Sequence, residues 1–200
     1  MGTATRNRIL EEAARLFTEK GYEATSVQDL AEALGLSKAA LYHHFRSKEE
    51  VLYEISLQAL EGLRRQGEKA LSEPDPKAAL LRFMEGHARF LEENRPFFVA
   101  MLQGLQSLSP EKRAPTIALR DRYEGLLRGI LERGMALGVF RPLDVGLTAR
   151  AILSLLNWMI RWFRPGGPLQ AEEVARFYFD LVLKGLGNGD SRTPGDSATG

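Results

Sequence analysis

The spacing of apolar residues is the feature that most limits what this chain can fold into. Large apolar side chains recur at intervals of three and four residues almost throughout, as they do on one face of an α-helix. No segment between turn signals shows the strict alternation of a half-buried strand. The sequence therefore predicts an all-α protein.

Four helices are predicted in the first seventy residues or so. Each of the last three begins after a serine, which is a preferred N-cap residue, and Gly35 ends the second in the manner of a C-terminal cap. The predicted helices span residues 4–20, 27–34 and 38–44, followed by a long fourth helix that begins at Ser47.

A second helical block follows the segment 72–76, where two prolines interrupt the pattern. Its predicted helices span residues 76–94, 96–106, 110–138, 144–164 and 171–186. We predict an N-terminal domain of residues 1–48 and a larger domain of residues 49–186, in which 49–72 form a connecting helix. Residues 187–200 lack large apolar groups and are predicted to be a disordered tail.

The composition excludes several classes of protein. The chain has no cysteine and three histidines, which leaves few metal ligands, and we expect no metal site. Apolar runs are too short for a membrane span, the N-terminus is unlike a secretory signal, and a cytoplasmic location is expected. Phosphate-binding glycine loops, HExxH pairs and nucleophile elbows are missing from the sequence, which argues against an enzyme.

The second and third helices have the proportions of a helix-turn-helix, with residues 35–37 as the turn. Five basic or histidine side chains and no acid occur from residue 38 to residue 48, although residues 1–50 contain eight acids against seven Lys and Arg. Positive charge is thus concentrated where DNA would lie in the major groove. The alternative interpretation is an ordinary solvated basic helix, or an interaction module that does not bind DNA.

The string from Thr25 to Ala31 and from Gly35 to Leu52 resembles the DNA-binding signature of the tetracycline-repressor (TetR) family, and the resemblance covers roughly residues 5–52. It implies a three-helix DNA-reading domain, a connecting helix, and a larger domain that dimerises and binds an effector. Ala39 departs from the pattern, since many members carry glycine there. At the matching positions, the family's DNA contacts correspond to Ser26, Gln28, Ser37, Lys38, Ala39, Tyr42, His43, His44 and Lys48.

The last two helices are apolar on more than one face, so they must be covered on more than one side. Two such helices from each subunit could form a symmetric four-helix interface. A well-buried core within one subunit is the alternative. The residues predicted to form the dimer interface are Ile152, Leu156, Met159, Ile160, Phe163, Phe177 and Leu181.

Residues 78–160 supply more apolar and aromatic side chains than short helices need for pairwise packing, which predicts an apolar effector cavity. His87 is either a satisfied core histidine or a hydrogen-bonding group of this cavity. The predicted lining residues are Phe83, His87, Phe90, Phe98, Met101, Leu102, Leu105, Tyr123, Leu127, Leu153 and Asn157.

Residues 157–168, which include Asn157-Trp158 and Trp162-Phe163-Arg164-Pro165, resemble a segment of TetR-type regulators of fatty-acid and acyl-coenzyme A catabolism. This resemblance implies an acyl-coenzyme A effector, with no other cofactor. Its phosphates could be bound by arginines, which could equally belong to a solvated surface. The candidates are Arg82, Arg89, Arg120 and Arg161.

Together these features predict a homodimeric repressor that binds a palindromic DNA operator and is released by its effector. The alternative is a TetR-type repressor of a multidrug efflux system that senses hydrophobic drugs, which would need no phosphate-binding arginines.

Overall fold

The computed structural model describes residues 2–186, and within that range all regular secondary structure is helical. The predicted all-α class is confirmed. The predicted tail, residues 187–200, lies outside the described residues. The helices are α1 (Gly2–Lys20), α2 (Val27–Leu34), α3 (Lys38–His44), α4 (Lys48–Ala70), α5 (Pro76–Glu93), α6 (Arg95–Gly104), α7 (Pro110–Ala136), α8 (Val145–Trp162) and α9 (Ala171–Leu186).

Helix ends follow from local chemistry. Ser26, Ser37 and Ser47 each accept a hydrogen bond from a backbone N–H in the first turn of the following helix. The predicted 96–106 helix is shorter as an α-helix, because residues 105–107 form a 3-10 turn. Helix α7 ends before Gly138, which has a left-handed φ of 69°.

The buried apolar side chains form two separate cores. The first joins α1, α2 and α3 to the beginning of α4, and it contains Leu41 and Phe45 packed with Leu16, Phe17 and Leu30, as the sequence predicts. The second joins the rest of α4 to α5, α7, α8 and α9. Helix α5 lies against both α4 and α9 at the centre of this second core.

Helix α6 contributes to both cores. Its Ala100 belongs to the first core and its Phe98 and Met101 belong to the second. A Cβ atom built on Gly104 would lie 2.6 Å from Leu52 Cδ1, so glycine permits the close approach of α6 to α4. This helix therefore connects the N-terminal helices to the larger helical domain.

In α8, the face that was expected to contact a partner subunit is buried inside the subunit. Ile152, Leu156, Met159 and Phe163 are at most 2% exposed and belong to the core of the subunit. A partner subunit cannot contact side chains that are already covered, so assigning these four to a dimer interface is wrong. Ile160 is partly buried against the same core.

Apolar side chains on the other faces of α8 and α9 are uncovered. Trp158 is 62% exposed and Phe177 is 63% exposed. Phe177 and Leu181 were predicted at the interface and are both on the surface. The exposed apolar residues of the two helices, here called the α8/α9 face, are Leu147, Leu155, Trp158, Trp162, Phe177 and Leu181.

Within residues 2–186, no helix combines the length and the apolar character that crossing a bilayer requires.

Candidate functional site

The helix-turn-helix is closed by Gly35, whose φ of 64° and ψ of 32° lie in the left-handed region. Its backbone N–H donates to the carbonyls of Ala31 and Glu32, which ends α2 and turns the chain toward α3. The inward face of α3 is held by Leu41 and Phe45 in the first core. The orientation of α3 is therefore fixed by packing on one side only.

The opposite side of α3 faces solvent. Lys38, Ala39, Tyr42 and His43 are exposed, and Tyr42 retains 49% of its accessible surface. His44 is half-buried at the end of the helix, and its ring contacts that of His43 edge to face. The structure thus brings the predicted basic and aromatic residues of α3 to one accessible surface.

The two predicted serines lie at helix N-termini. The Ser26 hydroxyl accepts from Asp29 N at 3.0 Å, and the Ser37 hydroxyl accepts from Ala40 N at 3.1 Å. Asp29 completes a capping box by accepting from Ser26 N at 2.7 Å. Gln28 Nε2 donates to Glu32 at 2.6 Å. All of these residues remain at the surface near α3, but their polar atoms also take part in local structure.

Lys48 has a structural contact that the sequence did not predict. Its Nζ donates to the Tyr22 carbonyl at 2.8 Å and lies 4.2 Å from the centre of the Tyr22 ring. This contact ties the start of α4 to the loop between α1 and α2. An ammonium group has three N–H donors, so the contact with Tyr22 leaves donors for a phosphate.

Arg6 is a residue that sequence reasoning missed in this domain. It donates to the His44 carbonyl at 2.6 Å, pairs with Glu54 and lies 4.1 Å from the centre of the Phe45 ring. Arg6 thereby fixes the end of α3 to α1 and α4. Neither its position in α1 nor its neighbours in sequence indicated this role.

A cavity of about 460 Å³ lies in the larger domain, between α4, α5, α6, α7 and α8. Six of its fourteen lining residues have aliphatic or methionine side chains, and the other eight carry polar or charged groups. Seven predicted residues line it: His87, Met101, Leu102, Leu105, Tyr123, Leu153 and Asn157.

Four predicted residues do not line this cavity. Phe83, Phe98 and Leu127 are buried in the second core, and Phe90 lies beside a separate groove next to α1. Two of these rings support the cavity wall from behind, because Phe83 stacks on Tyr123 and Phe98 packs edge to face against His87.

Sequence reasoning missed part of the lining. Arg120, which was expected only as a phosphate-binding candidate, also lines the cavity. Three residues that were missed lie three positions from a predicted lining residue: Glu124 from Leu127, Arg150 from Leu153 and Ser154 from Asn157. Spacings of three and four residues place side chains on one helix face and could have identified them. The remaining missed residues are Leu60, Leu63 and Thr116.

His87 and Tyr123 form the polar centre of the cavity. His87 Nδ1 lies 2.9 Å from the Tyr123 hydroxyl, and both residues are at most 3% exposed. Burial lowers the pKa of His87 to about 3, although the side chain of Asn157 acts in the opposite direction. Burial raises the pKa of Tyr123 well above its usual value. Both side chains are therefore neutral at pH 7.

His87 Nε2 is buried and has no hydrogen-bond partner among residues 2–186. Buried polar atoms are seldom left unpaired in folded proteins, and such an atom in a cavity wall marks a point where a ligand can bind. The alternative of a fully satisfied core histidine does not describe this geometry.

Two cationic side chains lie at the mouth of the cavity. Arg120 and Arg150 line it, and their side chains are 54% and 66% exposed. Glu124 of α7 pairs with Arg128 of the same helix, and Arg150 Nε of α8 approaches its carboxylate to 3.7 Å. The other predicted arginines lie elsewhere: Arg82 pairs with Glu73, Arg89 pairs with Glu172, and Arg161 lies beside Trp158.

Comparison with protein families agrees with this architecture. Residues 9–55 match the family described as "Bacterial regulatory proteins, tetR family", and residues 73–186 match "Tetracyclin repressor-like, C-terminal domain". Fold and matches together define a helix-turn-helix transcriptional regulator with a helical C-terminal domain. The chain belongs to the TetR family, and the resemblance predicted from residues 5–52 is confirmed.

Relatives share both domains. The chain is 34% identical over 184 residues to the HTH-type transcriptional repressor KstR2 of Mycobacterium tuberculosis (strain H37Rv), covering 90% of this chain and 92% of the relative. It is 74% identical to the TetR family regulator PfmR from Thermus thermophilus, whose crystal structure superposes with a TM-score of 0.85 over 88% of this chain and 97% of that one. AibR in complex with isovaleryl coenzyme A and operator DNA is 28% identical, with a TM-score of 0.82 over 89% and 97%.

Proposed function

We propose that this protein is a cytoplasmic, homodimeric transcriptional repressor that is released from a palindromic DNA operator by an acyl-coenzyme A. The cavity carries this proposal: a volume of about 460 Å³ is lined in part by leucine and methionine side chains and contains a buried, unpaired imidazole nitrogen, and arginines stand at its mouth. An apolar chain fits the interior, a carbonyl fits the polar centre, and phosphates fit the exposed arginines.

Helix α3 is the proposed reading element. Its solvent face carries Lys38, Tyr42 and His43 beside the small Ala39, so it can approach base edges closely. The N-termini of α2 and α3, with Ser26 and Ser37, offer backbone N–H groups to phosphates on either side of the groove. Residues at these positions supply both the positioning contacts and the base contacts that an operator needs.

The α8/α9 face is the proposed dimer interface. Large exposed apolar side chains, among them Trp158 at 62% and Phe177 at 63%, are best covered by the same face of a second copy. A two-fold axis through this face would place two copies of α3 about 34 to 36 Å apart on successive major grooves. The operator is then palindromic.

One relative supports the choice of effector, and another is named for a different ligand class. AibR was crystallised with isovaleryl coenzyme A and operator DNA, and KstR2 is a ketosteroid transcriptional regulator. The positions of Arg120 and Arg150 favour a ligand with a phosphate-bearing part outside the cavity over a wholly apolar drug. Both residues are exposed enough to reach such a group.

A titration tests the proposal. A labelled operator, selected from random duplex DNA by the protein itself, is bound by the repressor and titrated with acyl-coenzyme A of several chain lengths, with free fatty acids, and with uncharged aromatic drugs. We expect the thioesters to release the DNA at micromolar concentration, on the order of the affinity of small effectors. Release by the drugs alone would contradict the proposal and support an efflux regulator.

A matched pair of variants tests the arginines. Arg150→Ala removes a cation at the cavity mouth, and we expect it to weaken release by acyl-coenzyme A while leaving operator affinity unchanged. Arg82→Ala removes a cation that pairs with Glu73 away from the cavity. Equal effects of the two variants would argue against phosphate binding at the mouth.

A further inference from the structure

The direction of the hydrogen bond between His87 and Tyr123 determines what the cavity can recognise. The Tyr123 hydroxyl is buried, and its proton needs an acceptor. Nδ1 of His87 lies 2.9 Å away and is the acceptor within reach among the described residues. A hydroxyl that uses this acceptor donates to Nδ1, and this is the direction on which the inference below is built.

This bond selects one tautomer of the imidazole. A neutral imidazole has one N–H and one acceptor nitrogen, so when Nδ1 accepts a hydrogen bond the proton lies on Nε2. Turning the ring about its Cβ–Cγ bond would replace Nδ1 with Cδ2 and lose the contact with Tyr123, and Phe98 packs edge to face against the ring with 5.4 Å between the ring centres. In this tautomer the proton on Nε2 of His87 has no hydrogen-bond partner among the described residues.

We propose that Nε2–H of His87 donates a hydrogen bond to the uncharged carbonyl oxygen of the effector, and that the cavity thereby selects a thioester over the free carboxylate and over a thioether. The inference rests on the proposed function, since it concerns the same cavity. Asn157 lines the same cavity, and its side chain interacts with His87 and raises the pKa of the imidazole against the larger effect of burial.

The charges of the cavity explain why a free acid is excluded. A carboxylate buried beside His87 would lose its hydration and would need a cation nearby. The lining cations, Arg120 and Arg150, are both more than half exposed at the mouth. Glu124, whose side chain is only 15% exposed, adds a negative charge to the lining. A neutral donor within an apolar interior suits a neutral acceptor.

The decisive experiment compares two coenzyme A derivatives by calorimetry. Octanoyl-coenzyme A and S-octyl-coenzyme A differ only in the carbonyl, which the thioether replaces with a methylene. We expect the wild-type protein to bind the thioester about tenfold more tightly or better, because the thioether leaves the buried N–H unpaired. The double variant His87→Phe, Tyr123→Phe removes both partners of the buried pair, and its two affinities should become equal.

Leu153→Ala is the matched control. Leu153 lines the cavity and offers no hydrogen bond, so its truncation should weaken binding of both derivatives by a similar factor and preserve their ratio. If Leu153→Ala abolished the ratio as the double variant does, the ratio would reflect general fit and the inference would be wrong.

A nitrogen-15 NMR measurement tests the tautomer in the unliganded protein. The chain has three histidines, and the resonance missing from the double variant identifies His87. We expect Nε2 to carry the proton, and a proton on Nδ1 would overturn the inference.

The outcomes separate this inference from the proposed function. Equal wild-type binding of both derivatives, with release of operator by both, contradicts carbonyl recognition and leaves an acyl-coenzyme A repressor. Failure of both derivatives to bind contradicts the proposed function itself.

Discussion

Glu49, in the first turn of α4, accepts hydrogen bonds from the Ser109 backbone N–H and from Lys112 Nζ, each at 2.7 Å. These two donors hold the pKa of Glu49 down to about 2, with the Lys112 contact the larger cause, so the carboxylate is charged at pH 7. A second contact nearby joins Ser107 to Glu23, at 2.7 Å. The segment that leads from α6 to α7 is thus attached to the DNA-reading domain.

That segment also borders the cavity, because Leu102 and Leu105 line it just before Ser107. An effector that displaces these two side chains would act on Glu49 through a few residues of connected chain. Allosteric release requires an element that both sites bias, and this attachment is one such connection between them.

We predict that Glu49→Ala reduces the coupling between effector and DNA. Effector affinity of the free protein should be unchanged, while the factor by which effector weakens operator binding should fall by about tenfold, within the usual range of coupling energies. Operator affinity with and without octanoyl-coenzyme A gives this factor. Glu111→Gln, an exposed acid in the first turn of α7, is the control and should behave as wild type.

Lys38 gives a prediction about how operator binding depends on salt concentration. It is exposed at the start of α3, where it faces the proposed groove. Lys38→Ala should weaken operator binding by about 1 to 3 kcal/mol. If Lys38 contacts a phosphate, the plot of log binding constant against log salt concentration should become less steep by about one unit. Lys77→Ala removes an exposed lysine at the start of α5 and should leave the slope unchanged. Equal slopes for Lys38→Ala and wild type would exclude a phosphate contact.

The α8/α9 face gives a prediction about assembly. Phe177→Asp places a charge in the proposed interface and should give monomers at micromolar concentration in sedimentation experiments, because a desolvated, unpaired charge opposes association. Operator binding should fall sharply, since one copy reads one half-site. Leu137→Asp alters a residue that is equally exposed, at 63%, but lies outside α8 and α9, and it should remain dimeric. Dimers of Phe177→Asp would contradict the assignment.

The fold was predictable because each helix carries its own signals. Serine caps located the starts of α2 and α3 to the residue, Gly35 located the end of α2, and the inward position of Leu41 and Phe45 followed from their spacing. These are local properties of a few neighbouring residues, and packing did not override them.

Which apolar face of a helix is buried could not be predicted from neighbouring residues in the sequence. Helix α8 is apolar around most of its circumference, and only its position against α5 and α7 determines that Met159 is covered while Trp158 is exposed. The same reason explains the missed partners of Lys48 and Arg6, since Tyr22 and Glu54 are distant from them in sequence. Long-range contacts require the tertiary arrangement.

Acid should destabilise this protein through His87. Its pKa is about 3 in the folded protein and about 6.5 when unfolded, so between these values the unfolded chain binds one more proton and stability falls as the pH falls. The contribution is complete above pH 6.5 and is lost toward pH 3. At one proton per molecule, the free energy of unfolding should decrease by about 2 kcal/mol from pH 7 to pH 5.

Carboxyl groups with lowered pKa values affect the stability at a lower pH than His87 does. The pKa values of Asp29 and Glu49 are lowered in the folded protein, so their stabilisation is present above their ordinary values of 3.8 and 4.5 and is lost only below them. Urea unfolding at fixed protein concentration, at pH 7 and at pH 5, therefore isolates the histidines. The variant His87→Phe, Tyr123→Phe should lose most of the difference between the two pH values, and His43→Gln, a change at an exposed histidine of α3, should retain it. A wild-type pH dependence in the double variant would show that His87 is not the group responsible.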